Sequence, residues 1–129
     1  MPIINIETVQ HINHSVKNEI LKAMHDLVTD TLQIPAKACH IRWMEIDKNN
    51  YYCSTDMTAN HTYIEIKLFP GRSLEVKKSL YRSIFNTLNN YNVATNDLMI
   101  ALNEIPMENW GMEGGVPCSE IALDYKVNI

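Results

Sequence analysis

Pro2, directly behind Met1, is the first residue in this chain whose type and place suggest chemistry. A proline nitrogen freed at the start of a chain is a secondary amine on a rigid ring, a base that needs no side chain. An ordinary α-amino group titrates at about 7.7–8.0. Apolar surroundings disfavour its cation and bring the value toward neutrality, where a general base works best, and Ile3 and Ile4 supply such surroundings. The chemistry requires removal of Met1, because an acylated proline nitrogen is an amide without useful basicity. The small ring that follows Met1 suits such removal. The structural alternative is that Pro2 merely opens a strand, where its missing N–H does no harm.

Arg72 is the second candidate, in the turn Phe69-Pro70-Gly71-Arg72-Ser73. A guanidinium there can grip a carboxylate through two parallel hydrogen bonds, beside helix N–H groups that also favour an anion. The alternative is an exposed turn arginine, with Gly71 for the bend and Ser73 for the cap. Arg42, between His40 and Met44, either enters a pocket or bridges to an acidic neighbour. Lys37 either faces an anionic ligand or stays solvated, and Trp110 either walls the pocket or packs. His11, His14, His25, His40 and His61 have no spacing suited to zinc, so neither a metal nor a cofactor is expected. Cys39, Cys53 and Cys118 form no CxxC pair, and their odd number does not suit a disulfide framework.

These residues must be positioned by regular elements, and the chain reads as one unit used twice. Val16, Ile20, Leu21, Met24, Leu27, Val28 and Leu32 recur at helical spacing, with Ser15 as N-cap and Pro35 just beyond the end. Val76, Leu80, Tyr81, Ile84, Leu88 and Tyr91 repeat the pattern after Ser73. Strand signals flank each helix: 2–7 and 39–46 around the first, 61–69 and 97–104 around the second. TDTLQ at 29–33 answers FNTLN at 85–89, which indicates an internal duplication. The expectation is an α/β fold of duplicated β-α-β units, forming a four-stranded mixed sheet with two helices on one face. One domain spans 1–129, with a first unit at 1–48, a second at 61–105, and a C-terminal loop and short strand at 106–129. The polar stretch 47–60, with Asn49-Asn50 and Thr58-Ala59-Asn60, joins the halves. The alternating segment Leu123 to Val127 is expected to add an edge strand to this sheet or to a neighbouring subunit's. Because two helices cover only one face, the half-polar second face must meet water or another chain.

Composition bounds the function. With 129 residues, the chain can bury a core without metal or disulfide support. A net charge of −4 leaves no basic stripe to neutralise phosphates, which argues against nucleic acid. No apolar stretch approaches the ~18 residues that suggest a membrane span, and no signal-peptide pattern opens the chain. The expected location is the cytoplasm.

The opening MPIINIE, the segment IEIKLFPGRSLEVKKSLYRSI at 64–84 and LMIALNEIPMENWG at 98–111 together resemble the tautomerase superfamily in its longer fused form. The similarity is to the groups of malonate semialdehyde decarboxylase and chloroacrylic acid dehalogenase. It implies a homotrimer with active sites near subunit contacts, Pro2 as base or acid, and Arg72 holding the carboxylate of a small acid. Members interconvert keto and enol forms of 2-oxo acids, and longer relatives hydrate or decarboxylate three-carbon acids such as malonate semialdehyde. Arg42, Lys37, Phe69 and Trp110 complete the expected substrate pocket. Two departures stand out: Phe69 takes the place of the first of two arginines, and Ala38 that of an aspartate. Both weaken decarboxylation and water activation relative to plain proton shuttling. A scaffold that binds a small acid or a partner without turnover is the remaining alternative.

Overall fold

The computed structural model describes residues 1–58 and 60–129; Ala59, in the expected joining loop, lies outside them. Alternation of apolar residues sets four strands, β1 (Pro2–Thr8), β2 (His40–Glu45), β3 (Thr62–Leu68) and β4 (Leu98–Glu104). They form one sheet in the order β2-β1-β3-β4. β1 runs parallel to β2 and β3 parallel to β4, while β1 and β3 meet antiparallel, from Pro2 opposite Leu68 to Thr8 opposite Thr62. The sheet is therefore mixed, with the two β-α-β units related about the central pair.

Two helices, α1 (His14–Leu32) and α2 (Leu74–Asn89), make the crossovers. Ile4, Ile6, Ile64 and Ile66 point from the sheet, and Ile20, Met24, Val28, Leu80 and Ile84 from the helices, all fully buried. Each such side chain contributes about 1.5–3 kcal/mol on leaving water. Helix starts follow capping chemistry. Ser73 Oγ accepts the Val76 N–H at 3.3 Å. At α1 the cap is Asn13 and not Ser15: the extended Asn13 backbone lets its Oδ1 accept the Val16 N–H at 2.9 Å, and Ser15 donates to the same oxygen. Both helices are followed by a 3-10 turn, Ala36–Ala38 and Thr95–Asp97, that feeds the next strand.

The tail differs from expectation. Leu123 to Val127 alternates between half-buried and exposed residues, as a strand would, but it has no ladder partner among the described residues. Its inward residues pack on the body of the fold, and the only additional pairing among the described residues is the small hairpin of β5 (Gly111–Met112) and β6 (Val116–Pro117). On the side of the sheet away from the helices, Arg42, Met44, Met99 and Asn103 are exposed, and Lys67 lies 3.3 Å from Glu65. Asn5 Oδ1 on this side is buried yet has no hydrogen-bond partner among the described residues.

Candidate active site

The start of β1, the end of β3 and the turn before α2 meet at one end of the sheet. Pro2 is buried there opposite Leu68. Phe69 and Arg72 follow in the turn, 1% and 5% exposed. Arg72 is thus not the solvated turn residue that its sequence context permits. Its Nη1 donates to Phe69 O at 3.1 Å, while Nε and Nη2 are buried without a partner among the described residues. A guanidinium with two unused, dehydrated N–H groups is an unmet demand for acceptors. Glu104 at the end of β4, whose charge reaches Arg72, is paired with Lys77 at 2.9 Å.

A cavity of about 300 Å³ opens beside this turn. Its wall includes Met1, Lys37, Ala38, His40, Phe69, Cys118, Leu123 and Tyr125. That volume is at the lower end of small-ligand sites. The Met1 amine is hydrogen-bonded to the Tyr125 hydroxyl. Burial, and then the nearby Arg72 charge, lower its pKa to about 6. The Met1 amine is therefore largely uncharged at neutral pH. Burial likewise pushes the Cys39 thiol up to about 11, which makes it a packing group and not a nucleophile. Burial also raises Tyr125, against the pull of Arg72, so its phenol keeps its proton.

The sequence-derived residues divide. Met1, Lys37 and Phe69 line the cavity; Pro2, buried next to Met1, and Arg72 are not part of its wall, and Arg72 acts electrostatically on both the Met1 amine and Tyr125. Lys37 is exposed and paired with Asp124 at 2.9 Å. Trp110 stands edge-on to Phe69 with ring centroids 5.6 Å apart, and its indole N–H donates to Ile105 O at 3.2 Å. It supports the wall from behind. Arg42 is exposed two residues beyond His40 on the uncovered side of β2. Tyr125, Asp124, Leu123 and Cys118 had no signal in sequence beyond the tail's alternation, because their placement depends on the tail folding back over the chain start.

The matching end of the second unit carries different polar groups. Asp97 holds the position that Ala38 has in the first, and its carboxylate accepts the Thr58 N–H at 2.7 Å and the Thr58 hydroxyl at 2.6 Å. Thr62, the counterpart of Pro2, is bonded side chain to side chain with Thr8 at 2.8 Å. Among the described residues no group of His, Cys, Asp or Glu is placed to hold a metal ion. Among those residues, too, no helix is long and apolar enough to cross a membrane.

This fold is a tautomerase architecture. The chain belongs to the tautomerase family: the family model described as "Tautomerase enzyme" matches residues 37–113. Solved structures with similar folds include a fused 4-OT, a wild-type symmetric trimer, with a TM-score of 0.82 at 19% identity, covering 91% of this chain and 96% of that one. Malonate semialdehyde decarboxylase FG41 inhibited by 3-bromopropiolate gives 0.75 at 22% identity, covering 86% and 88%. Pt0534 inactivated by 2-oxo-3-pentynoate gives 0.84 at 16%, covering 93% and 99%.

Proposed function

We propose that this chain, once Met1 is removed, is an enzyme that interconverts the keto and enol forms of a small 2-oxo acid, with the Pro2 nitrogen as proton shuttle and Arg72 as carboxylate anchor. One observation carries the reading: the amine at the chain start sits in a largely apolar cavity, its cation disfavoured by burial and by the buried Arg72 guanidinium, which has two N–H groups to offer an anion. Met1 forms part of the cavity wall. Its loss opens that wall, and the substrate's carboxylate meets the guanidinium from that side. Lys37, paired with Asp124, lines the approach, and Phe69, backed by Trp110, supplies the apolar wall; Arg42 lies outside the cavity, on the uncovered side of β2.

Decarboxylation or hydration of a short oxo acid is the weaker reading within the same class. Ala38 offers no acid to orient water and Phe69 no second cation. A scaffold without turnover is favoured only where Met1 stays in place, since its amine then fills the site against Tyr125. Assembly as a homotrimer belongs to the proposal: the uncovered sheet face, with exposed Met44 and Met99, offers a surface for a second subunit, and the similar fused 4-OT is a trimer. The free thiols Cys39, Cys53 and Cys118 suit a reducing compartment such as the cytoplasm.

The test is ketonisation of enol-phenylpyruvate by Met1-free protein beside its Pro2→Ala variant. A loss of at least 10²-fold in kcat/KM is expected, on the scale of a removed general base; equal rates for the two proteins would end this reading.

A further inference from the structure

The carboxy-terminal tail lies across the site, although the proton shuttle and the anchor need nothing from it. It is held at three points. Ile129 O accepts the Ser73 N–H at 2.8 Å, at the start of α2. Val127 and Asn128 press on Gly71, where a Cβ would stand 2.8 Å from Val127 O and 2.6 Å from Asn128 Oδ1. Asp124 pairs with Lys37 at 2.9 Å. Between these points Tyr125 forms part of the cavity wall, with its hydroxyl on the Met1 amine.

The Met1 amine marks a chemically defined place. It is three bonds from the Pro2 nitrogen, of about 1.46, 1.52 and 1.33 Å, so the two nitrogens are at most about 4 Å apart. An atom that exchanges a proton with an uncapped Pro2 must lie in the same shell, about 3–3.5 Å from the base. The Tyr125 hydroxyl already makes a hydrogen bond to an atom there. Of the other polar groups in the wall, Asp124 and Glu113 are acceptors when ionised, Lys37 is committed to Asp124, and His40 is exposed. Enolate formation needs a donor aimed where negative charge develops.

We propose that Tyr125 is a catalytic residue of this proton transfer, its O–H donating a hydrogen bond to the keto oxygen as that oxygen becomes an enolate. The inference rests on Pro2 acting as the shuttle. In the enolisation direction the substrate's C–H bond breaks and its proton passes to the Pro2 nitrogen. The electron pair left behind becomes the C=C bond, and the carbonyl π pair becomes a lone pair on oxygen, held by the phenol. Transfer of the proton from the Pro2 ammonium to that oxygen completes the enol and restores the amine; ketonisation runs the same steps in reverse. The raised pKa of the buried phenol keeps the donor protonated throughout.

The experiment compares Met1-free wild type, Tyr125→Phe and Pro2→Ala in ketonisation of enol-phenylpyruvate, with 3-phenylpropionate as a competitive inhibitor and thermal melting as a check of the fold. Tyr125→Phe keeps the ring that packs the tail and removes only the donor. The expected result is a kcat lower by about 10²–10³-fold, the scale of one lost oxyanion donor, with KM, inhibitor affinity and melting temperature close to wild type. The wild type is also expected to lose activity at alkaline pH as the phenol ionises, a limb that the Phe variant lacks. A kcat within about threefold of wild type, while Pro2→Ala is inactive, overturns the role of Tyr125 and leaves the shuttle standing. Losses of inhibitor affinity and melting temperature that match the loss of kcat overturn it too, by making Tyr125 a packing residue. A wild type without activity overturns both.

Discussion

At the scale of single residues, the site depends on two groups moved away from their ordinary aqueous behaviour by burial. Arg72 combines 5% exposure with two nitrogens, Nε and Nη2, whose N–H groups find no acceptor among the described residues. An arginine left in that state costs stability unless something anionic completes it. Replacing it with glutamine should therefore raise KM for a 2-oxo acid by about 10–100-fold, the value of a hydrogen bond to a charged group, with a smaller change in kcat. Steady-state kinetics check this. Arg72→Lys should not restore KM, because an ammonium lacks the planar fork.

The second displaced group is the amine. With Met1 present, burial and Arg72 bring the amine down to about 6 from the 8.0 of an open chain start. The same end of the fold surrounds an uncapped Pro2. A depressed pKa means that the reactive, uncharged base accumulates as pH rises through that lowered value. The acid limb of kcat/KM should therefore be complete below the usual 7.7–8.0 range of α-amines, and a limb centred within or above that range would contradict burial of the base. Arg72→Gln removes the second cause of the depression, so it should move the limb upward.

At the scale of elements, the turn from β3 to α2 and the tail form one device. Gly71 has φ +133 and lies directly under Val127 and Asn128, so it serves both conformation and close approach. Gly71→Ala would strain the backbone and push a methyl group into the tail. A loss of about 1–3 kcal/mol is expected by denaturant titration, together with a raised KM as Tyr125 leaves the cavity. What could be read from sequence divides along the same line. Helical spacing in 16–32 and 76–91, and alternation in the four strands, report burial that each segment settles locally, so the duplicated β-α-β plan was legible. The N-cap of α1 was placed two residues late, because Ser15 and Asn13 are both capping types and only backbone conformation separates them. The alternation of Leu123 to Val127 signals one buried side, but packing against Gly71 and the cavity yields the same pattern as a strand ladder. For that reason Tyr125 was missed: its contact with Met1 spans 124 positions. Pro2 and Arg72 were legible as candidates because their chemistry resides in residue type and turn context.

At the scale of the whole molecule, a four-stranded sheet covered by helices on one side leaves the other side open to water or to a partner. Exposed Met44 and Met99, and the unsatisfied buried Asn5 oxygen, lie on that side. Light scattering should give three times the 14.8 kDa chain mass. Met99→Asp, which puts a charge on the uncovered face without touching the core, should shift the population toward monomer and lower kcat if subunit contacts complete the pocket. A wild-type monomer with full activity would confine the site to one chain.

The central claim concerns one nitrogen, and the intact mass of the protein isolated from its native host tests it most directly. A mass short of the full chain by one methionine, with nothing else bonded ahead of Pro2, is the expected result. A mass that retains Met1 would leave the proline nitrogen an amide, contradict its role as base, and leave a binding scaffold as the surviving account.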